Sequence, residues 1–135
     1  MKKGQLSFEI NSHYQNLSII RNIIRNFLDI EKISTLDKVH FISVVDELST
    51  NAIEHAYKNA DANEYNPIYI MVNIDSNFIN FTIEDYGEGF QDDTKSKDEG
   101  GMGLNIVKSI VNEFKIIKRK KGTKINIIKE IKKEE

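Results

Sequence analysis

Along this chain the spacing of apolar residues switches between two and three-or-four in a fixed order, and that order leaves few folds open. Leu6, Phe8 and Ile10 alternate with polar residues, as in a half-buried strand. From Asn16 to Ile30, Leu17, Ile20, Ile23, Ile24, Phe27 and Leu28 recur at helical spacing, which predicts an amphipathic helix. Ser34 or Thr35 suits the cap of a second helix. That helix is expected to run to about Lys58, with Leu36, Val39, Ile42, Val45, Leu48, Ala52 and Ala56 on its apolar side. After a polar turn, Asn59 to Pro67, strand patterns run from Ile68 to Ile74 and from Phe78 to Glu84. Asp75-Ser76-Asn77 between them suits a hairpin turn. A polar, Gly-rich segment from Asp85 to Gly101 leads to a third helix, from about Gly103 to Glu113, with Leu104, Val107, Ile110 and Val111 inward. Two last strands, Phe114 to Arg119 and Thr123 to Ile131, join near Lys121-Gly122, and the tail KKEE reads as frayed.

The predicted order is β-α-α-β-β-α-β-β. Most strands come in hairpin pairs, so the expected fold is an α+β two-layer sandwich: a mostly antiparallel mixed sheet with three helices on one face. Neither an internal repeat nor a linker interrupts the pattern, so residues 1–135 read as a single domain. A domain of this length buries roughly 65–70% of its unfolded surface and can hold a core unaided.

Composition narrows the chemistry. The chain is 39% hydrophobic and 30% charged, with a formal net charge of −2, so it lacks the basic excess of a general nucleic-acid binder. The one basic cluster, Lys115 to Lys124, reads as lysines guarding a strand edge. With no cysteine, disulfides, thiolate metal sites and cysteine nucleophiles are excluded. The first residues lack the continuous apolar run of a signal peptide, and no segment approaches the ~18 apolar residues of a membrane span. A soluble cytoplasmic protein is expected.

Three short motifs carry chemistry. On the second helix Glu47, Asn51 and His55 follow one another at four-residue steps and share a face beside the apolar stripe. An amide oxygen there is a hard ligand suited to Mg²⁺, and a carboxylate can take a proton from a hydroxyl or a water. Alone, the pair is equally compatible with solvated helix surface. The second motif, Asp85-Tyr86-Gly87-Glu88-Gly89, follows a strand directly. A strand-end aspartate can accept a hydrogen bond from the amino group of adenine, Gly87 lets the backbone lie flat against a ligand, and Gly89 permits positive φ. Alone it is more simply a Gly-rich turn. The third, Gly100-Gly101-Met102-Gly103-Leu104, opens a helix, where free N–H groups and the helix dipole attract phosphate. It is not the dinucleotide fingerprint, because no strand runs directly into it and the pattern is incomplete, and not a Walker loop, since no GK[ST] follows the glycines.

In order, spacing and placement the three motifs resemble the N, G1 and G2 boxes of the GHKL, or Bergerat-fold, ATP-binding family. The resemblance runs from about Thr35 to Ile128 and is strongest at VVDELSTNAIEHAY (44–57), IEDYGEGF (83–90) and GGMGLNIVKSI (100–110). Gly122-Thr123 is similar to that family's late Gly-Thr. Within the family the chain most resembles the anti-sigma-factor serine kinases, small single-domain proteins with a strand and helix before the N box.

The resemblance implies ATP and Mg²⁺ as cofactors, with Glu47 as general base and Asn51 as Mg²⁺ ligand. Asp85 matches the adenine-specifying carboxylate, and Gly87 and Gly89 the shapers of its pocket. Gly101, Met102, Gly103 and Leu104 lie in the phosphate-facing G2 box, and Thr123 matches the adenine-side threonine. His55 is expected to pack behind the nucleotide. Implied partners are a sigma factor and a STAS-type anti-anti-sigma protein phosphorylated on Ser or Thr, with homodimerisation and no direct nucleic-acid or membrane contact. The lid (90–100), FQDDTKSKDE before Gly100, is shorter than in several such kinases. It keeps open a nucleotide-dependent binding switch with little or no kinase activity. A histidine-kinase catalytic domain is disfavoured by Glu47, where those domains usually carry asparagine, and by the lack of a phosphoacceptor hairpin. A stand-alone ATPase is disfavoured by the lack of a transducer domain.

Overall fold

The structure, a computed structural model, describes residues 4–88 and 101–132, with only the backbone of residues 101 and 102. The described residues form five strands and three α-helices in the expected order: β1 (Gly4–Asn11), α1 (Leu17–Ile30), α2 (Thr35–His55), β2 (Pro67–Ile74), β3 (Phe78–Asp85), α3 (Gly101–Ile110), β4 (Glu113–Lys118) and β5 (Thr123–Glu130), with a short 3₁₀ turn at Tyr14–Asn16. The sheet order is β1-β2-β3-β5-β4, and all four pairings are antiparallel. β4 is therefore an edge strand, as its lysines suggested.

Local chemistry sets the boundaries. The Ser34 hydroxyl accepts from the Asp37 N–H at 3.3 Å and caps α2. At the end of α1, Lys32 takes the left-handed conformation (φ 60), while the Ile33 and Lys32 N–H groups donate to the Leu28 and Asp29 carbonyls. This is a Schellman stop, with buried Leu28 and Ile33 as its apolar pair. The Asp75 carboxylate accepts from the N–H groups of Asn77 and Phe78, each at 2.8 Å, and closes the β2–β3 hairpin.

The core lies between the helices and one sheet face. α1 contributes Ile20, Ile24 and Leu28 at four-residue spacing. β2 contributes Ile68, Ile70, Val72 and Ile74 at period two. Phe41 of α2 meets Phe81 of β3 edge to face, with centroids 5.6 Å apart. Two expectations about α2 need correction. Leu36 and Val39 are 64% and 59% exposed, while Phe41 and Val44 are buried. The buried stripe centres on Val45, Leu48 and Ala52, and Val39 lies roughly 180° around the helix from Leu48. The helix also ends at His55 rather than near Lys58, because the Ala56 carbonyl is taken by the Glu88 N–H at 2.8 Å. Likewise α3 covers Gly101–Ile110 rather than 103–113, since the Asn112 N–H already donates to Ile128 and starts the approach to β4.

The two-residue period of the strands sets which side chains meet the helices. In β3 these are Ile79, Phe81, Ile83 and then Asp85; in β5 they are Thr123, Ile125, Ile127 and then Lys129. Each helix-facing row thus places a polar residue where the pattern demands burial. Asp85 and Thr123 stand at one end of the sheet, Lys129 at the other.

Candidate functional site

The polar end of the sheet nearest the close of α2 gathers the motifs. Asp85 is the last residue of β3 and pairs with Thr123, the first of β5. Both are buried, at 4% and 5% exposure. The Asp85 carboxylate accepts from the Gly87 N–H at 3.0 Å and from the Thr123 N–H. Burial pushes its pKa up, against the opposing pull of those two N–H groups and of the Arg119 guanidinium. A carboxyl held this way keeps acceptor capacity toward an amino group and has no donor for a keto oxygen while ionised.

Gly87 packs on the end of α2. A Cβ there would overlap the Ala56 carbonyl and press on the Tyr57 ring, so only glycine allows this approach. Tyr57 adds a latch that the sequence did not signal. Its hydroxyl donates to the Pro67 carbonyl at 2.6 Å and accepts from the Tyr86 N–H at 2.9 Å, tying the segment after α2 to β2 and to the turn after β3. Burial raises the Tyr57 pKa, so the hydroxyl stays protonated and able to donate.

On α2 itself Asn51 is buried, at 4% exposure. A buried amide needs hydrogen-bond partners, and a ligand can supply one. One turn earlier, the half-buried Glu47 carboxylate lies against Gly103 of α3, so closely that a Cβ at Gly103 would overlap it. His55 is half-buried one turn after Asn51, with Nε2 3.9 Å from Glu54 Oε1.

Glu47, Asn51, Asp85, Gly87, Gly103 and Thr123 therefore belong to segments in mutual contact at one end of the sandwich. Leu104 is half-buried against the core. Gly101 and Met102 begin α3. Gly89 and the lid fall outside the described residues. Sequence reasoning also missed Arg119, which sits in a run of lysines and donates to the Asp85 carbonyl at 2.9 Å.

A cavity of about 370 Å³ adjoins this end, lined in part by Tyr57, Tyr65, Tyr86, Gly87 and Lys121. It borders the gathered motifs at Ala56, Tyr57, Tyr86, Gly87 and Glu88 and reaches neither Asn51 nor Asp85. Among the described residues no group of three or more His, Asp or Glu could cage a metal ion. The donor set fits a Mg²⁺ that takes one amide oxygen from Asn51 and the rest of its shell from phosphate and water.

The sequence matches the family described as histidine kinase-like ATPase domain over residues 10–129. It is 27% identical to an anti-sigma F factor of Anoxybacillus flavithermus over 141 residues, covering 96% of this chain and 94% of that protein. It is 34% identical to a serine-protein kinase RsbW of Staphylococcus epidermidis over 105 residues, covering 67% of this chain and 64% of that one. The fold superposes on the crystal structure of the RsbU and RsbW domains of Rv1364c from Mycobacterium tuberculosis with a TM-score of 0.71 at 17% identity, over 95% of this chain and 32% of that one. Among the described residues no helix is long and apolar enough to cross a membrane.

Proposed function

Since this chain belongs to the histidine kinase-like ATPase domain family, we propose that it is an ATP-binding anti-sigma-type regulator. In this reading it phosphorylates a Ser or Thr of a STAS-type anti-anti-sigma protein and sequesters a sigma factor. It acts as a cytoplasmic homodimer and as one domain over residues 1–135. The observation that carries the reading is the contact of the Glu47 carboxylate with Gly103, one helical turn from the buried Asn51. In this reading a general-base carboxylate, a metal-ligand amide and a glycine-bearing helix start act side by side. The names of the anti-sigma F and RsbW relatives support the choice of branch.

Bound Mg-ATP supplies the transferable phosphoryl group and a cation that screens its charge. Asp85 accepts a hydrogen bond from the base amino group, and Gly87, Gly89 and Thr123 are assigned to that side of the nucleotide. Asn51 offers its amide oxygen to the metal. The N–H groups at the start of α3, from Gly101 through Met102, Gly103 and Leu104, face the phosphates. Glu47 takes the proton of the acceptor hydroxyl as its oxygen bonds to the γ-phosphorus and the bond to the ADP oxygen breaks.

Incubation with Mg-ATP and a candidate acceptor, read by phosphoprotein mass, tests the reading. Glu47→Ala should retain nucleotide binding and lose transfer; full transfer by that variant removes Glu47 from its role. The short lid segment, FQDDTKSKDE, favours a second reading, a nucleotide-dependent binding switch. Tight ATP binding with no phosphoprotein, alongside partners that differ between ATP and ADP, would select it.

A further inference from the structure

In the basic run from Lys115 to Lys124, one cation leaves the others. Lys120 and Lys121 are exposed, but Arg119 lies across the end of β3. Its Nη2 donates to the Asp85 carbonyl at 2.9 Å, its Nη1 to Glu84 Oε2 at 3.3 Å, and its guanidinium covers the Tyr86 ring at 5.1 Å. One side chain thus grips three successive residues, with Asp85 in the middle. The Arg119 N–H also donates to the Gly122 carbonyl at 2.9 Å. That closes a turn in which Gly122, at φ 103, lies where a Cβ would overlap the Asp85 carbonyl. The Nε of Arg119 is buried and has no partner among the described residues. The pose therefore persists for its other contacts, which need a planar fork and a stacking face that lysine lacks.

We propose that Arg119 is a positioning residue for base recognition: it fixes the end of β3, and through it the direction of the Asp85 carboxylate, and so sets preference for adenine over guanine. The inference rests on the nucleotide-binding reading of this site. The two N–H groups that hold the carboxylate come from Gly87 and Thr123. Each follows directly on a residue that Arg119 touches, Tyr86 or Gly122. Loosening the guanidinium frees both donors together, and a carboxylate off its line discriminates less between an amino group and a keto oxygen.

Calorimetry with Mg-ATP, and competition with Mg-GTP, on the unaltered protein, Arg119→Met, Arg119→Lys and Tyr86→Leu tests this. Arg119→Met should bind ATP about tenfold more weakly with GTP little changed, so that the preference shrinks by the same factor. Arg119→Lys should fall between, and Tyr86→Leu, which leaves the fork, should lose least. Where Arg119→Met fails to fold, the Lys and Leu variants carry the comparison. Unchanged preference in the folded variants, or equal loss for ATP and GTP, overturns the positioning role. Absence of ATP binding by the unaltered protein overturns the nucleotide reading itself and this inference with it.

Discussion

At the start of α2 the Asp37 carboxylate accepts from the Ser34 hydroxyl at 3.1 Å and the Lys132 N–H at 2.7 Å, and pairs with the buried Lys129 ammonium at 3.4 Å. Fourteen residues on, roughly 21 Å along the same helix, Asn51 is buried, at 4% exposure, toward the end of α2 that meets the turn after Asp85. The sheet repeats the contrast, with Lys129 and Asp85 both on helix-facing rows at opposite ends. Buried polarity at the Asp37 end is matched within the chain and works for stability. At the Asp85 end the polar groups are oriented by the chain but left with capacity for a ligand, at a cost to stability.

The sharpest way to break this comparison is Asp37→Ala. Among the described residues it leaves the ammonium of Lys129, a residue 7% exposed, with only the Glu130 carbonyl at 3.4 Å. Stability should fall by about 3 kcal/mol in urea denaturation, as for other buried pairs deprived of one member, while ATP affinity stays within about twofold. The pH dependence follows the same carboxyl. Burial opposes its ionisation, but the hydrogen bonds from Lys132 and Ser34 and the charge of Lys129 outweigh this and hold its pKa below the ordinary 3.8. A depressed carboxyl stabilises fully above its ordinary value and loses that contribution as pH falls through the folded value. The gap between the unaltered protein and Asp37→Ala should therefore close as pH falls well below 3.8, measured by thermal melts. A gap that persists there would assign the loss to packing.

At the other end Asp85→Asn should do the reverse. The Asp85 pKa is raised, so its contribution to stability is lost as pH rises from 3.8 through the folded value, and at neutral pH the ionised group costs stability. The amide removes that cost, and stability should hold or rise. ATP affinity should drop about tenfold to a hundredfold, because a charged acceptor is lost. Lower stability together with unchanged ATP affinity would mean that Asp85 behaves like Asp37 and that the two ends do not differ.

Local patterns in the sequence foretold much of this. The Ser34 cap, the Asp75 turn and the strand patterns of β2 and β3 each depend on neighbours a few residues away, and all appear close to where expected. The motif order also announced that α2, the end of β3 and the start of α3 meet. The features that stayed hidden depend on distant partners. Asp37 and Lys132 are 95 positions apart, Arg119 and Asp85 34 apart, and no local spacing marks either contact. Leu36 and Val39 misled because an apolar residue fits a helical stripe whether it lies at the stripe's centre or beyond its edge. Only the placement of the sheet decides which side is covered.

The smallest expected change probes the join of α2 and α3. Gly103 sits inside α3 with no positive φ, so alanine suits its backbone and should stabilise the helix by up to about 1 kcal/mol. The three atoms nearest the new Cβ all belong to the Glu47 carboxylate, the far end of a flexible side chain that can swing aside. Gly103→Ala should therefore melt at a slightly higher temperature, bind ATP with a modest loss, and transfer phosphate about tenfold more slowly as Glu47 leaves its place. Stability and function then move in opposite directions from a single methyl group, as at Asp85 and unlike at Asp37. A variant that gains stability and keeps its full transfer rate would show that the carboxylate needs no fixed position beside Gly103, and would leave Asn51 and Asp85 as the groups at this end held ready for a ligand.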